Sequence, residues 1–556
     1  MKIALISMEI IPGRPDLNAT HMREKIKEAK AAGAELALFP ALSLSGLFLG
    51  GVWKQEAFLR DLADYAEEIA AAADGITVVY GNAAQTNSCT GVRRTLMEAR
   101  DGVLREVAHT PLHGTGNTFA PLLYELPNEN IILAADAAPF PICFGARTLA
   151  ETAREKGKAI FYINTLGLQD KGKTVYAFPG RAQVFNGNGE RVLMSPAYTE
   201  GVSVIDTTQL PPAVTQHAEE SIAPIHRMLR YAVQKFLTRI HMERVVIGIS
   251  GGIDSAVAAA LYVDAIGAEN VLLVNMPSRF NSTTTKGLAA QLADNLGCRH
   301  MIVPIEESVT HTVDQLTTVP IMGKCATDGE HLTISSFVRE NMQARDRSGR
   351  VLSAVAAAWG AGFTCNANKA ESTVGYATLY GDQAGFLSAL ADLWKYQVYD
   401  LARYLNNSVY GREVVPQGII DIVPSAELSD AQNVDEGKGD PIRYLYHDHL
   451  FRAFAENNET PEEVLEYYAK NTLEAQIGCA ERLVAAYFPT AADFIADLER
   501  WWRLYTGMAV AKRIQSPPLL SVSGRAYGSD HPESQIGAYE TIRYRALKER
   551  LLKNKY

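Results

Sequence analysis

Thirteen residues, "VVIGISGGIDSAV" (Val245–Val257), constrain this chain more than any other stretch. An apolar, β-branched run ends at Ile249, two adjacent glycines follow, and a helix pattern begins near Ile253. Glycine lets the backbone approach a ligand closely and take positive φ without strain. The first N–H groups of a helix lack intrahelical partners, and the helix dipole is positive there. Gly248–Ser255 is therefore built for a phosphate or pyrophosphate, with the Ser250 and Ser255 hydroxyls as further donors. The stretch contains neither GxxxxGK[ST] nor GxGxxG, which sets aside a Walker-type loop and a dinucleotide fingerprint. A tight turn that binds nothing is the plainer alternative. Asp254 weighs against it: a carboxylate at the mouth suits a phosphate when a divalent cation bridges the two, since hard cations take oxygen ligands.

"VVIGIS", "VLLVNMPS" and "HMIVPI" are three strand-like runs separated by helix-patterned segments. That is βαβαβ, hence a parallel sheet with right-handed crossovers. A chain of 556 residues exceeds one hydrophobic core, so a second domain is expected. Residues 1–205 supply it. They alternate "KIALISM", a helix from about Asn18 with Met22, Ile26 and Ala29 on one face, "AELALFPAL" closed by Pro40, and "ITVVYGNAA". A hairpin follows over Thr95–Ala108, turning at Asp101-Gly102. A mixed sheet covered by helices is the expected architecture. Residues 206–223 hold two adjacent prolines and read as a linker; 224–556 read as one α/β domain with a helix-rich tail.

The net charge of −10 offers no basic field for nucleic acid or an anionic membrane. Six scattered cysteines without a CxxC pair argue against a zinc site and a disulfide framework. The N-terminal residues lack the pattern of a secretory leader, and no stretch approaches the roughly 20 apolar residues that span a bilayer. A cytoplasmic protein with reduced thiols is the expectation. His109 and His113 flank Pro111 and do not read as a metal pair. "YHDHL" (Tyr446–Leu450) reads as an exposed helix, and Trp501, Trp502 and Tyr505 as an aromatic cluster.

The glycine turn resembles the SGGxDS pyrophosphate loop of the N-type ATP pyrophosphatases, which have a doubly wound, adenine nucleotide alpha hydrolase-like sheet. Further segments narrow the likeness to NAD synthetases of the glutamine-dependent type: "NMPSRFNSTTT", "ENMQARDR", "NANKAESTVGYATLYGD", "VPSAEL" and "AKRIQSPP", in the family's order. The resemblance implies that Gly248, Ile249, Ser250, Gly251, Gly252, Ile253, Asp254 and Ser255 hold ATP phosphates, with Ser278 and Asn366 near the nucleotide. It implies Mg2+ on Asp254 and Glu371, and deamido-NAD against Asn341, Glu371, Tyr376, Ala377, Thr378, Leu379 and Lys512. Lys369 is a candidate for stabilising developing pyrophosphate charge, against a surface or helix-capping role. The chain departs from the family at Asn366 and Ala367, where TGNKSE has threonine and glycine, and at Ala391, where PLKD has lysine.

Residues 1–205 resemble the nitrilase-like glutaminase domain of such enzymes, an α-β-β-α sandwich, through "AAGAELALFPALSLSGL" and "YINTLGLQDKGKTVYAFPGRAQVFNGNGE". Nitrilase chemistry needs a cysteine nucleophile, a glutamate base and a lysine for the oxyanion. Ala41 stands at the glutamate and His109 at the lysine. A strand, nucleophile turn and helix read as missing between "IILAAD" and "AAPFPICFGAR", and Cys143 reads as a structural thiol. The resulting expectation is ATP-dependent amidation of deamido-NAD through an adenylylated intermediate, using free ammonia, by a homo-oligomer. A glutamine-hydrolysing enzyme with a rearranged site and a catalytically impaired nucleotide-binding homologue are the alternatives.

Overall fold

The computed structural model describes residues 1–85, 92–111, 120–141, 146–214, 219–429, 432–531, 533–534 and 537–553. Cys143 and His113 lie outside the described residues. The chain divides into two compact units, Met1–Glu220 and Ser221–Tyr556.

The first unit contains strands Lys2–Ser7 (β1), Leu36–Leu38 (β2), Thr77–Gln85 (β3), Val92–Arg100 (β4), Val103–Pro111 (β5), Leu122–Glu125 (β6), Ile131–Asp136 (β7), Ala159–Asn164 (β8), Leu166–Lys171 (β9), Thr174–Pro179 (β10), Gln183–Phe185 (β11), Arg191–Met194 (β12) and Gly201–Asp206 (β13). One sheet runs β13-β1-β2-β3-β4-β5 and a second β12-β11-β8-β7-β6. Alternation along β1 sorts its side chains between two layers. Ala4 and Ile6 pack with Met22, Ile26 and Ala29 of Pro15–Ala31 (α1) and with Leu62 and Ile69 of Glu56–Ala72 (α2). Ile3 and Leu5 face the second sheet, where Leu133, Phe161 and Val184 meet them. Leu149 and Ala153 of Ala146–Lys156 (α3) cover the far face against Ile132 and Tyr162. These layers make the α-β-β-α sandwich that the sequence implies. The β4–β5 hairpin turns at Asp101 (φ 48°) and Gly102 (φ 78°), the left-handed pair of a type I′ turn.

One expectation is overturned. No strand–turn–helix is missing: β7 pairs in parallel with β8, and α3 crosses between them. The sequence concealed this because the strand ends in Asp136-Ala137-Ala138, with no cysteine or acidic neighbour to mark a nucleophile turn.

His21 on α1 lies 3.6 Å from Glu200. The facing Glu200 carboxylate raises the imidazole above its ordinary value, and the same contact lowers the carboxyl to about 2. The histidine's share of stability is full below its unfolded value and is lost as pH rises through the raised folded one. The glutamate's share is full above its unfolded value and is lost as pH falls towards about 2. The melting-temperature gap between wild type and His21→Gln is thus expected to be widest near pH 5–6 and to close by about pH 8. Partial exposure holds the pair's contribution to stability below about 1 kcal/mol. A gap that widens with rising pH would contradict the pairing.

The second unit is built on Val245–Gly248 (β14), Val271–Asn275 (β15), Arg299–Ile302 (β16) and Gly362–Phe363 (β17), all parallel, in the order β16-β15-β14-β17. Its first helices are Ala223–Arg239 (α4), Ile253–Ile266 (α5), Thr283–Leu296 (α6), Glu306–Thr318 (α7), Ser336–Arg345 (α8), Ser353–Trp359 (α9) and Lys369–Val374 (α10). Val246, Leu272 and Val274 pack on one face with Ile305, Val309, Val351 and Leu352, while α5 packs against the strands from its own layer. The sheet is doubly wound, so the carboxyl ends of its strands open onto a crevice.

The helical tail corrects a second expectation. "YHDHL" is not exposed: Tyr446, His447, Asp448 and Leu450 are all buried. His447 and one oxygen of Asp448 are partnered. His447 accepts from the Arg443 N–H (2.8 Å) and bonds Asp497 (2.9 Å), and Asp448 accepts from the Tyr396 N–H (2.9 Å). Trp501 and Tyr505 lie in the core beside Phe451 and Phe454, with Trp502 packed against it. Among the described residues, no helix is long and apolar enough to cross a membrane.

Candidate active site

A cavity of about 270 Å³ opens at the carboxyl ends of β14 and β15. All eight residues of Gly248–Ser255 line it. The turn fits its place for a steric reason. Gly251 has φ +86°, and a Cβ there would come within 2.2 Å of the Thr285 carbonyl oxygen, so no other residue is accommodated. The turn is braced by its own serines: Ser255 Oγ accepts from the Ser250 N–H (3.2 Å) and donates to Gly252 O (3.0 Å), and Ser250 Oγ accepts from the Gly252 N–H (3.2 Å). α5 then begins at Ile253, with Asp254 in its first turn.

Three charged groups from distant segments converge at the mouth. Asp254 Oδ1 accepts from Asn368 Nδ2 (3.0 Å), and Asp254 Oδ2 accepts from Lys395 Nζ (2.5 Å). Lys395 Nζ also lies 3.7 Å from Glu371 Oε1. Asn368 caps α10 and receives the Glu371 N–H (3.1 Å), while the Glu371 carboxylate returns to the Asn368 N–H (3.3 Å). This capping box fixes the direction of Glu371. Burial and the neighbouring Asp254 raise the Glu371 carboxyl well above its ordinary range. Burial alone would lower Lys395, but Asp254 and Glu371 outweigh it and hold the ammonium charged. Tyr444 over the lysine (4.7 Å to the ring centroid) and Asp440, which accepts from Tyr376 (3.0 Å), close this end.

The opposite wall carries Arg347, Asn281 and Glu427. The Arg347 guanidinium donates to Met276 O (3.1 Å) and Asn281 Oδ1 (3.3 Å), and burial pushes it down to about 10. Glu427 ties the 423–428 segment to the start of α6 through Thr285 Oγ1 (2.7 Å) and the Ser282 N–H (3.1 Å).

Of the other residues singled out in the sequence, Asn366, Glu371 and Tyr376 line the cavity. Asn366 donates to Gly248 O (3.1 Å), so the residue that replaces the family's threonine braces the loop. Ser278 sits behind the wall, its N–H given to Asn281 (2.8 Å). Asn341, Ala377, Thr378, Leu379 and Lys512 form a separate neighbourhood. There Thr378 Oγ1 donates to Asn341 (2.8 Å), Lys512 donates to Gly375 O (2.7 Å), and Arg345 donates to Leu379 O (3.1 Å).

Lys369 requires correction. It is neither in the cavity nor on the surface: it is fully buried, with Nζ bound to Asp392 (2.7 Å), Glu456 (2.7 Å) and Ser523 (2.8 Å). Helical periodicity explains this, because the first residue of α10 points away from the face that carries Glu371. Besides Lys286, which lines the cavity, the lysine that reaches Asp254 is Lys395, which the sequence reading passed over. Its signal lay in "LSALADLWKYQVYDLA", four residues beyond Ala391.

In the first unit, Ala41 is fully buried, its N–H donating to Asp136 O (3.2 Å). His109 is more than half exposed on the edge strand β5 and pairs with Glu106 (2.9 Å). Asp136 is fully enclosed, accepts from the Ala137 N–H (2.8 Å) and Tyr162 (3.0 Å), and is raised by burial to about 6.

Residues 225–479 match the model of the NAD synthase family. The chain carries an NAD synthase domain. The match begins at α4 and takes in the glycine turn, Asp254, Glu371 and Lys395 of the site. Beyond this domain the likeness runs the full length. The chain is 28% identical over 586 aligned positions to the glutamine-dependent NAD(+) synthetase of Xylella fastidiosa, covering 97% of this chain and 99% of that one. To the glutamine-dependent NAD(+) synthetase of Synechocystis it is 30% identical over 62% of this chain and 60% of that one. Two solved structures share the fold: the glutamine-dependent NAD+ synthetase of Acinetobacter baumannii (TM-score 0.65, 24% identity, 96% and 98% coverage) and that of Cytophaga hutchinsonii (TM-score 0.75, 15% identity, 99% of both chains). In chain order the region matched by the NAD synthase model follows the N-terminal sandwich.

Proposed function

We propose that the chain is an NAD synthetase: it activates the carboxylate of deamido-NAD (nicotinic acid adenine dinucleotide) with ATP, releases pyrophosphate, and exchanges AMP for a nitrogen nucleophile. The observation that carries this reading is the convergence of Asp254, Glu371 and Lys395 on the mouth of a glycine turn that ends in a helix N-terminus. Backbone N–H groups of the turn and the first turn of α5 receive phosphate oxygens. Lys395 and Arg347 supply fixed positive charge where the pyrophosphate leaves, and need no reorientation as charge develops. Tyr376 and Asp440 border the same cavity, where the acyl group and incoming nitrogen have to meet.

The carboxylates of Asp254 and Glu371 fit Mg2+: both are hard oxygen donors, and the Lys395 ammonium already lies between them, so the position is made for positive charge. The metal would neutralise phosphate oxygens there. The segment that includes Asn341, Thr378 and Lys512 is the proposed berth for the rest of deamido-NAD.

Free ammonia is the proposed nitrogen donor. The relatives above are named for glutamine, but here the base position is the buried Ala41, the strand end before the turn is Asp136-Ala137-Ala138, and His109 is turned to Glu106. An alanine moves no proton, and a carboxylate enclosed by two donors is no thiol nucleophile. We place the enzyme in the cytoplasm, where its thiols stay reduced, as a homo-oligomer.

The deciding assay offers each nitrogen source separately to purified protein with ATP, Mg2+ and deamido-NAD. Ammonium is expected to give NAD, AMP and pyrophosphate in equal amounts; glutamine is expected to give neither NAD above background nor glutamate. Glutamate release coupled to NAD formation would refute the ammonia reading and leave the synthetase reading standing. ATP binding without pyrophosphate release under any donor would refute both.

A further inference from the structure

Two cations that the reaction does not touch hold α10 from its two ends. At the first, Lys369 is fully buried, and its ammonium joins Asp392, Glu456 and Ser523 at 2.7–2.8 Å. Its own N–H donates to Leu393 O (2.8 Å). A cation in the first turn opposes the helix dipole, so Lys369 is not there to stabilise the helix itself. Its ligands come from elsewhere in the sequence, which makes it a dock for α10 on the segments around Asp392 and Ser523.

At the far end, Arg513 is almost wholly buried. Its guanidinium donates to Thr373 O (2.5 Å) and Tyr505 O (3.0 Å) and pairs with Glu533 (2.6 Å). Between the two docks lies the face that matters: Asn368, which grips Asp254, and Glu371.

We infer that Lys369 and Arg513 are positioning residues, which set the place of Glu371 and, through Asn368, of Asp254. Lys369 also supplies the cation that Asp392 would lose through alanine at 391. Asp392 is served from α10 instead, by Lys369 at 2.7 Å, together with the Val522 and Ser523 N–H groups (2.7 and 2.6 Å). Two carboxylates on a metal must be fixed within a fraction of an ångström, and partners one shell out commonly fix them. The inference rests on the reading of Asp254 and Glu371 as the metal ligands.

The test uses the full-length protein with Lys369→Met and Arg513→Lys. For each folded variant, kcat is expected to fall about 10²-fold, as for a misplacement of about an ångström. KM for ATP is expected to move far less, and the Mg2+ concentration giving half-maximal velocity to rise. In nucleotide-free protein, hydrogen exchange of the α10 amides is expected to quicken while β14 keeps its rate. Lys369→Met leaves Asp392 and Glu456 unpaired and can cost the fold; Arg513→Lys keeps the charge, loses the fork of donors, and then carries the test. Unchanged kcat and Mg2+ dependence per folded molecule, with only a lower melting temperature, would reduce both residues to structural ones. Wild type inactive with both ammonium and glutamine would instead overturn the synthetase reading, and the exchange result would stand apart from it.

Discussion

Asp254→Asn is expected to lower kcat for ammonium-driven NAD formation by about 10²–10³-fold, the scale of removing a preorganised charge at a reacting phosphate. Asp254 does two things at once. It is one of the two carboxylates proposed to hold Mg2+, and it lies 2.5 Å from Lys395. Asparagine keeps the volume and an acceptor for Asn368 but removes the charge that holds a divalent ion and orients the ammonium. The variant should still fold, since its side chain is partly open to the cavity. Isothermal titration should then find ATP binding less dependent on Mg2+ than in wild type. Turnover within threefold of wild type would mean that Asp254 is not a metal ligand.

Gly251→Ala is expected to remove measurable ATP binding in the range where wild type saturates. The new methyl group meets the Thr285 carbonyl at 2.2 Å, and that oxygen is backbone, so relief requires the turn to move away from α6. The residue also sits at φ +86°, where an L side chain is strained on its own account. Both effects fall on the segment proposed to donate N–H groups to phosphate. Gly287→Ala is the control: it lies inside α6 with nothing within 4 Å of its would-be Cβ, so it should cost nothing and gain up to about 1 kcal/mol of helix stability. Equal ATP affinity in the two variants would show that the turn does not cradle phosphate.

Much of the site was legible from short stretches. The strand–turn–helix, the acid in the first helical turn, and Glu371 in its motif are local patterns, and local patterns fix local geometry; Asn368, which contacts both acids, was not singled out. Residues that act through long-range placement were not legible. Lys369 and Lys395 both stand in suggestive motifs, yet only the facing of α10 and the entry of Lys395–Tyr404 decide which ammonium reaches Asp254. "YHDHL" looked solvated because it is polar; it is buried, with His447 and Asp448 held by Asp497 and two backbone N–H groups. The strand β7 and helix α3 escaped notice because the residue types that mark a nucleophile turn between them are absent.

By itself the sequence determined where the glycine turn lies, that a parallel doubly wound sheet carries it, and that alanine stands at position 41 of the N-terminal sandwich. Those follow from residue type and period, which act over a few neighbouring residues. The tertiary structure alone decided which lysine faces the cavity, how Asp254 and Glu371 meet around it, and how α10 is held. Each of these depends on segments more than a hundred residues apart being packed to within a hydrogen bond, and no local pattern specifies that distance.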